Sequence, residues 1–354
     1  MRITAVHAAP LEAPLVDPFL IANARLDRVH NVHVRVTVEG GHVGHGEVAT
    51  LVPLTAESQK DAERAIARAT DGLLGVDASD ADALTDRLLA LIPDFAATRA
   101  GVEEACWDAA ARAAGAPLWR RFGEVAHPVV TDVTLPIVDV ERARVLAATW
   151  RDKGFQTLKV KVGGGLHDDL QRIAAVLEGH PRAGLVLDAN EGWSVSDALS
   201  AVRAVRRLGG RIVLLEQPVP REDLDALARL TRDAGVVVCA DEAVRTVEDV
   251  DRIGKERLAS AINVKLAKSG VAGVVALVRA ARAHGLQVMI GAMVETRIGT
   301  GFGAHLAAGL GGFVNVDLDT SLLLAQDPVR GGTALDGPRW DVSAVATGHG
   351  PFPE

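Results

Sequence analysis

Three acids and three lysines, spread between residues 159 and 265 of a 354-residue chain, carry the chemistry this sequence can offer. Lys159 and Lys161 stand two apart in TLKVKVGGG (157–165). Side chains alternate faces along a strand, so both lysines take one side and the aliphatic residues the other. Two buried ammonium groups side by side need counter-charges. Asp188 in GLVLDAN, Glu216 in RIVLLEQ and Asp241 in GVVVCADE each close an apolar β-branched run and can supply them. These are hard oxygen donors without His or Cys nearby, a set that selects Mg²⁺, with Mn²⁺ as a substitute, over zinc. A metal held there acts as a Lewis acid on the dianion formed when a proton leaves the carbon beside a carboxylate. Lys265, in SAINVKL, ends a later run. An ordinary lysine, with a pKa near ~10.4, is a poor base at neutral pH, but a second ammonium and a nearby cation lower it. Lys161 and Lys265 are then two bases on opposite sides of the metal, able to take a proton from one face of a carbon and return it to the other. That is racemisation or epimerisation.

The surrounding elements must bring these residues together. Eight strand candidates follow residue 129: VTDVTLPIV (130–138), TLKVKV (157–162), GLVLDAN (184–190), RIVLLEQ (211–217), GVVVCADE (235–242), SAINVKL (260–266), QVMIGAM (287–293) and FVNVDLD (313–319). Ala-, Leu- and Arg-rich helical stretches separate them, an alternation that predicts a parallel sheet closed into a barrel. An open doubly wound sheet competes, but no G-x-G-x-x-G follows the first strand. In a barrel the C-terminal strand ends share one rim, which gathers the acids and lysines. A single Asp188 could be a turn residue; three acids on three consecutive strands, flanked by lysines, are hard to explain that way.

Ahead of the barrel, RITAVHAAP, NVHVRVTVEG and HVGHGEVAT read as an antiparallel meander turning at Glu39–Gly41, followed by helices over 56–70, 79–91 and 100–114. The predicted fold class is therefore α/β: a modified TIM barrel of (β/α)7β type over 125–320, with an α+β capping domain over 1–124 to which the tail 321–354 returns.

Composition removes other classes. A net charge of −8 argues against a phosphate backbone as partner, and 3% aromatic residues with no Tyr argue against base stacking. Two cysteines, Cys106 and Cys239, in apolar contexts, suit a reducing compartment. No signal-like or membrane-length apolar run is present, so a cytoplasmic protein with a small-molecule substrate, no nucleic-acid or membrane partner and a homo-oligomeric state is expected. His42 and His45 flank a turn without partners for a metal. Gly163–Gly165 lacks a P-loop lysine, and Trp193 and Cys239 read as packing.

The K-x-K of LKVKVG, DANEGW (188–193), EQP (216–218), ADE (240–242), INVKLAKSGV (262–271) and the helix GVEEACWDAAARAAGAPLW (101–119) together resemble the enolase superfamily, muconate-lactonizing subgroup, over nearly the whole chain. The resemblance implies Mg²⁺ on Asp188, Glu216 and Asp241, an acid/base pair of Lys161 and Lys265, and Lys159 stabilising an enolate oxygen. It places Glu242 and Asn190 in support. Within the subgroup, Asp317 and Asp319 in VDLDTS resemble the D-x-D by which dipeptide epimerases hold a substrate ammonium. The implied reaction inverts the α-carbon of a dipeptide's C-terminal residue. The segment PFLIANARL (18–26) is expected to be a loop capping the site. Relatives that act on Ala-Glu carry an arginine where Leu26 stands, and a one-residue shift would bring in Arg25. Met293 and Thr296 are expected at the pocket wall. The rivals are an N-acylamino acid racemase or o-succinylbenzoate synthase, a muconate-type cycloisomerase and a non-catalytic metal-binding barrel. The first two have no ammonium for Asp317 and Asp319 to hold.

Overall fold

Period-two alternation builds the first sheet. In the computed structural model, which describes residues 1–21, 24–52 and 54–353, β1 (Ile3–Ile21), β2 (Ala24–Val38) and β3 (Val43–Val48) form an antiparallel sheet in chain order. Val32, Val34, Val36 and Val38 of β2 are buried on one face, and the turn after them uses Gly40 and Gly41 at φ +86° and +79°. The stretch expected to be a loop is the end of this hairpin: Phe19 faces Leu26, Leu20 faces Arg25 and Ile21 faces Ala24.

Helices α1 (Gln59–Leu73), α2 (Ala81–Leu91) and α3 (Ala96–Ala113) follow. α3 lies directly on β3. A Cβ on Gly44 would come 2.0 Å from Ala105 O, and one on Gly46 2.1 Å from Gly101 O, so only glycines permit this approach.

A short strand β4 (Val129–Val130) leads into the barrel: β5 (Val133–Leu135), β6 (Thr157–Lys161), β7 (Gly184–Asp188), β8 (Arg211–Glu216), β9 (Val238–Ala240), β10 (Ala261–Lys265), β11 (Gln287–Gly291) and β12 (Asn315–Asp317). All eight are parallel and adjacent in chain order. Between them run α4 (Val140–Asp152), α5 (Leu166–Gly179), α6 (Val195–Arg207), α7 (Leu224–Asp233), α8 (Val247–Glu256), α9 (Leu266–Ala283) and α10 (Arg297–Leu310). Capping boxes at Ser194/Asp197 and Thr246/Asp249 start α6 and α8. The seam between β5 and β12 is narrow. Asp132 N donates to Val316 O at 2.8 Å, and Leu318 N donates to the Thr131 hydroxyl at 2.9 Å.

Buried glutamates of the N-terminal segment join it to the barrel. Glu103 of α3 accepts from Val271 N and Ala272 N, where α9 kinks at Gly270. Glu47 of β3 accepts from Thr296 N and Gly299 N at the start of α10. Each carboxylate satisfies amides that a helix start leaves unpaired. In the tail, β13 (Val329–Gly331) pairs with β16 (Pro351–Pro353), and β14 (Leu335–Asp336) with β15 (Arg339–Trp340), which also pairs with β4. The tail meets the N-terminal segment where Leu118 N donates to Gly348 O and where Leu324 bridges Leu15. Among the described residues no helix is long and apolar enough to cross a membrane.

Candidate active site

The inward-facing positions at the C-terminal strand ends converge on a pocket with about 670 Å³ of empty space, part of it open to solvent. Its polar wall includes Lys159, Lys161, Asn190, Asp241, Glu242, Lys265, Lys268 and Asp317. Phe19, Ile21, Leu51, Leu54 and Met293 form an apolar side, with Phe19 and Ile21 delivered by the hairpin.

Registered neighbours explain the convergence: Lys161 pairs with Asp188, Asp188 with Glu216, and Lys265 with Gly291, which pairs with Asp317. Lys159 lies at the centre, its Nζ 3.0 Å from Asp188, 2.8 Å from Glu216 and 2.6 Å from Asp317. Lys161 Nζ donates to Asp188 at 2.6 Å and to Asn190 Oδ1 at 3.3 Å. Asp241 receives Lys265 at 2.8 Å and Lys268 at 2.6 Å. Asn263 Nδ2 holds Glu216 Oε1 at 2.7 Å. Lysines 161 and 265 sit on the second and sixth of eight strands, hence on opposite sides of the barrel.

Burial and neighbouring charge oppose one another here. Burial pushes Asp188 up, but the ammonium groups of Lys159, Lys161 and Lys265 prevail and hold it at about 2. Asp241 is likewise held low against burial by Lys265 and Lys268. Glu216 goes the other way, to about 8, because burial and the charge of Asp188 outweigh Lys159. Burial would lower Lys159 and Lys265, yet Asp188 and its neighbours raise the first, and Asp241 raises the second, above the ordinary lysine range.

Asp317 lines the pocket, whereas Asp319 is fully buried behind it and accepts from Thr134 N at 2.6 Å, which extends the barrel seam. Thr134 Oγ1 is 3.4 Å from a carboxylate oxygen of each. Burial and then Asp317 raise Asp319 to about 7. A third acid missed in the sequence, Asp132, stands beside them. Among the described residues, the acidic group whose oxygens all lie within 4.8 Å of one another is Asp132, Asp317 and Asp319. The oxygens of Asp188, Glu216 and Asp241 are spread further, with ammonium groups between them. Their positions relative to the pocket separate the two sets. Asp132 stands ahead of β5 and is held by the Asn315 amide at 2.6 Å, away from the pocket. Asp188 and Glu216 end consecutive strands, and Asp241 directly follows the next. Glu216 Oε2 is buried and makes no well-formed hydrogen bond, Lys159 being its ionic neighbour. An all-oxygen anionic set with such an oxygen fits Mg²⁺.

Three expected pocket residues lie elsewhere. Arg25 is exposed and paired with Asp27 at 2.8 Å, because the hairpin's alternation turns it outward. Leu26, half-buried across from Phe19, packs on the core and is absent from the pocket wall. Thr296 caps α10 and gives its hydroxyl to Glu47 at 2.6 Å. Met293 is at the wall as expected. The residues missed besides Asp132 are Phe19, Ile21, Asn263, Lys268 and Gly291. Lys268 and Asn263 had a signal, since both lie inside INVKLAKSGV, and Phe19 and Ile21 lie inside PFLIANARL, the segment expected to cap the site. At Gly291 a Cβ would meet the Asn263 amide at 2.9 Å and Lys265 Cε at 3.1 Å, so the glycine leaves Lys265 its place. Arg221 is bound to Glu191, and Arg245 stands exposed at the pocket's edge.

Residues 3–123 match the N-terminal domain of mandelate racemase / muconate lactonizing enzyme, and residues 141–350 match the enolase C-terminal domain-like family. An L-Ala-D/L-amino acid epimerase of Populus trichocarpa is 42% identical over 97% of this chain and 83% of its own length. An aromatic dipeptide epimerase of Herpetosiphon aurantiacus is 39% identical over 98% of both. The dipeptide epimerase of Enterococcus faecalis V583, solved with Mg and the dipeptide L-Leu-L-Tyr, superposes with a TM-score of 0.94 at 30% identity, covering 99% of each chain.

Proposed function

The chain belongs to the mandelate racemase / muconate lactonizing enzyme family of the enolase superfamily, and from that premise we propose that it is an isomerase that epimerises dipeptides at the α-carbon of the C-terminal residue. The observation that carries this reading is the placement of Lys161 and Lys265 on opposite sides of one barrel mouth, both lining the same pocket. A carbon between them presents one face to each. One ammonium must be deprotonated to act as base while the other delivers its proton, and the roles exchange with the direction of the reaction. Lys159, buried among carboxylates, supplies a fixed positive charge for the developing enolate. Asp188, Glu216 and Asp241 would hold Mg²⁺, or Mn²⁺ with the same oxygen preference. Bound there, the ion would supply Lewis acidity toward the substrate carboxylate and offset the carboxylates that keep Lys265 protonated.

Asp317, with Asp319 behind it, would receive the substrate ammonium. An N-acylated amino acid has no such group, so these acids favour the dipeptide reading over the racemase and synthase rivals. Among the described residues no hairpin arginine lines the pocket, and Phe19, Ile21, Leu51, Leu54 and Met293 suit an apolar second residue.

The test is incubation of L-Xaa-L-Xaa dipeptides with the enzyme and Mg²⁺ in D₂O, read by mass spectrometry and chiral analysis. One deuterium at the second residue, with inversion, is expected. Uptake from N-acetylated amino acids alone would transfer the assignment to the racemase class.

A further inference from the structure

Outside the pocket, one buried acid ties together the two turns that follow Lys161 and Asp188. Asp169, in the first turn of α5, is wholly buried. Its Oδ2 accepts from Gly163 N at 2.9 Å and from the Trp193 indole Nε1 at 2.8 Å, while Oδ1 accepts from Arg172. We infer that Asp169 is a positioning residue for Lys161, setting that base against the substrate carbon through these two turns; this rests on the two-base epimerase reading.

The first turn leaves β6 directly. Gly163 stands two residues after Lys161 at φ +96°, and a Cβ there would come 2.4 Å from Ala189 O. Only a glycine lets this turn pack so closely on the one after β7. The second turn is strained. Asn190 and Glu191 take φ +41° and +72°, left-handed values that residues with a Cβ rarely adopt. Such a backbone persists only where its surroundings hold it. Arg221 holds Glu191 by backbone and side-chain N–H groups, Pro218 O accepts from Trp193 N at 2.9 Å, and Asp169 holds the Trp193 ring.

The strained turn delivers Asn190. Its Nδ2 donates to Glu242 at 3.1 Å, which leaves Oδ1 facing Lys161 Nζ at 3.3 Å. Lys161 is therefore held at two places: its backbone through Gly163, and its ammonium through Asn190 and Asp188. One oxygen of Asp169 reaches both turns. Lys265 uses neither of them; it ends β10, bonds to Asp241 and occupies the space left at Gly291. Loosening Asp169 thus displaces one base of the two. A shift of Asp188 itself would slow proton removal from either face alike, so the two effects separate.

Asparagine has a single acceptor oxygen, so Asp169→Asn leaves either Arg172 or the two N–H donors facing an amide N–H. The variant and the unaltered enzyme are each incubated in D₂O and Mg²⁺ with either diastereomer of one dipeptide substrate, and initial deuterium uptake is read by mass spectrometry. The diastereomer served by Lys161 is the one that Lys265→Ala still exchanges. Asp169→Asn should slow exchange of that diastereomer roughly 10- to 100-fold, the scale of a misplacement of about 1 Å, and the other less than about threefold. Trp193→Phe, which removes the indole N–H but keeps an aromatic ring, should shift the ratio the same way by a smaller factor, and it decides the matter if Asp169→Asn does not fold. Equal slowing of both diastereomers, or slowing of neither, overturns the proposal and leaves Asp169 a structural residue. If the unaltered enzyme takes up no deuterium from any dipeptide, or if Lys161→Ala and Lys265→Ala exchange the same diastereomer, the two-base reading itself fails, and the proposal with it.

Discussion

The mouth and the floor of the barrel are built from the same strands, two residues apart, and they are chemically opposite. Val186, Leu214, Cys239, Ala261 and Met289 pack together as a fully buried floor. Two positions further along each strand, about 7 Å higher, stand Asp188, Glu216, Asp241, Asn263 and Gly291. Every one of these mouth residues is polar, charged or, in Gly291, a vacated place for a charged neighbour. Both layers are nearly inaccessible to water. Burial therefore does not separate them; pairing does. The floor needs no partners, while the mouth survives burial only because each carboxylate meets an ammonium group or an amide. The floor thus contributes stability and the mouth contributes function at a cost in stability. That division can be broken by experiment.

The largest effect should come from the mouth's metal ligands. Exhaustive chelation with EDTA should abolish turnover, and Mg²⁺ should restore it; full activity after chelation would remove Asp188, Glu216 and Asp241 from the mechanism.

Asp317 comes next. A charge-assisted contact to a substrate ammonium contributes about 1.5–3 kcal/mol, so Asp317→Asn should lower kcat/KM for free dipeptides by roughly 10- to 150-fold. Asp319→Ala should also lower stability, because it removes the oxygen that accepts from Thr134 N and closes the seam.

The floor should respond in the opposite way. Leu214→Ala removes a fully buried side chain and should cost about 2–5 kcal/mol in denaturant unfolding. Its kcat at a temperature where the protein stays folded should change far less than that of any mouth variant. An equal loss of activity would mean that the two layers are not separable.

The smallest effect lies outside the barrel. His33 and His45 stack at 5.2 Å between ring centroids and share a hydrogen bond of 2.9 Å. Burial, then Arg35 and His349, lower His33 to about 4. Burial, with His33, Arg112 and His349 against the opposing pull of Asp108, lowers His45 to about 3. Unfolded, both would titrate near 6.5, so below that pH the unfolded chain binds more protons and stability rises with pH. Tm should fall as pH drops from about 6.5 toward 4, and His33→Gln should flatten that slope.

The contrast between mouth and floor also explains what the sequence could disclose. Asp188, Glu216, Asp241 and Lys265 were legible because each ends an apolar run, and the run is the floor. The hairpin was not. Pro10, Pro14 and Pro18 interrupt β1, and proline normally argues against a strand. β1 is an edge of its sheet, paired along its length with β2 and bridged at Leu15 to Leu324, and an edge tolerates a missing N–H. The reading of 18–26 as a loop therefore met a paired hairpin over its described residues, Ala22 and Asn23 lying outside them; Phe19 and Ile21 reach the pocket while Arg25 and Leu26 lie off its wall. Thr296 misled because it lies three residues from Met293, while its hydroxyl serves a helix start and Glu47. Asp132 was invisible because its neighbours Asp317 and Asp319 are more than 180 residues away and meet it only when the barrel closes.

The central claim is that Lys161 and Lys265 each serve one face of the same carbon. Lys161→Ala and Lys265→Ala, each incubated with the two diastereomers of one dipeptide substrate in D₂O, test it most directly. Neither variant should epimerise. Each should exchange the α-hydrogen of one diastereomer only, and the two variants should choose opposite diastereomers. Exchange of the same diastereomer by both variants, or inversion at near the unaltered rate by either, would contradict the two-base account.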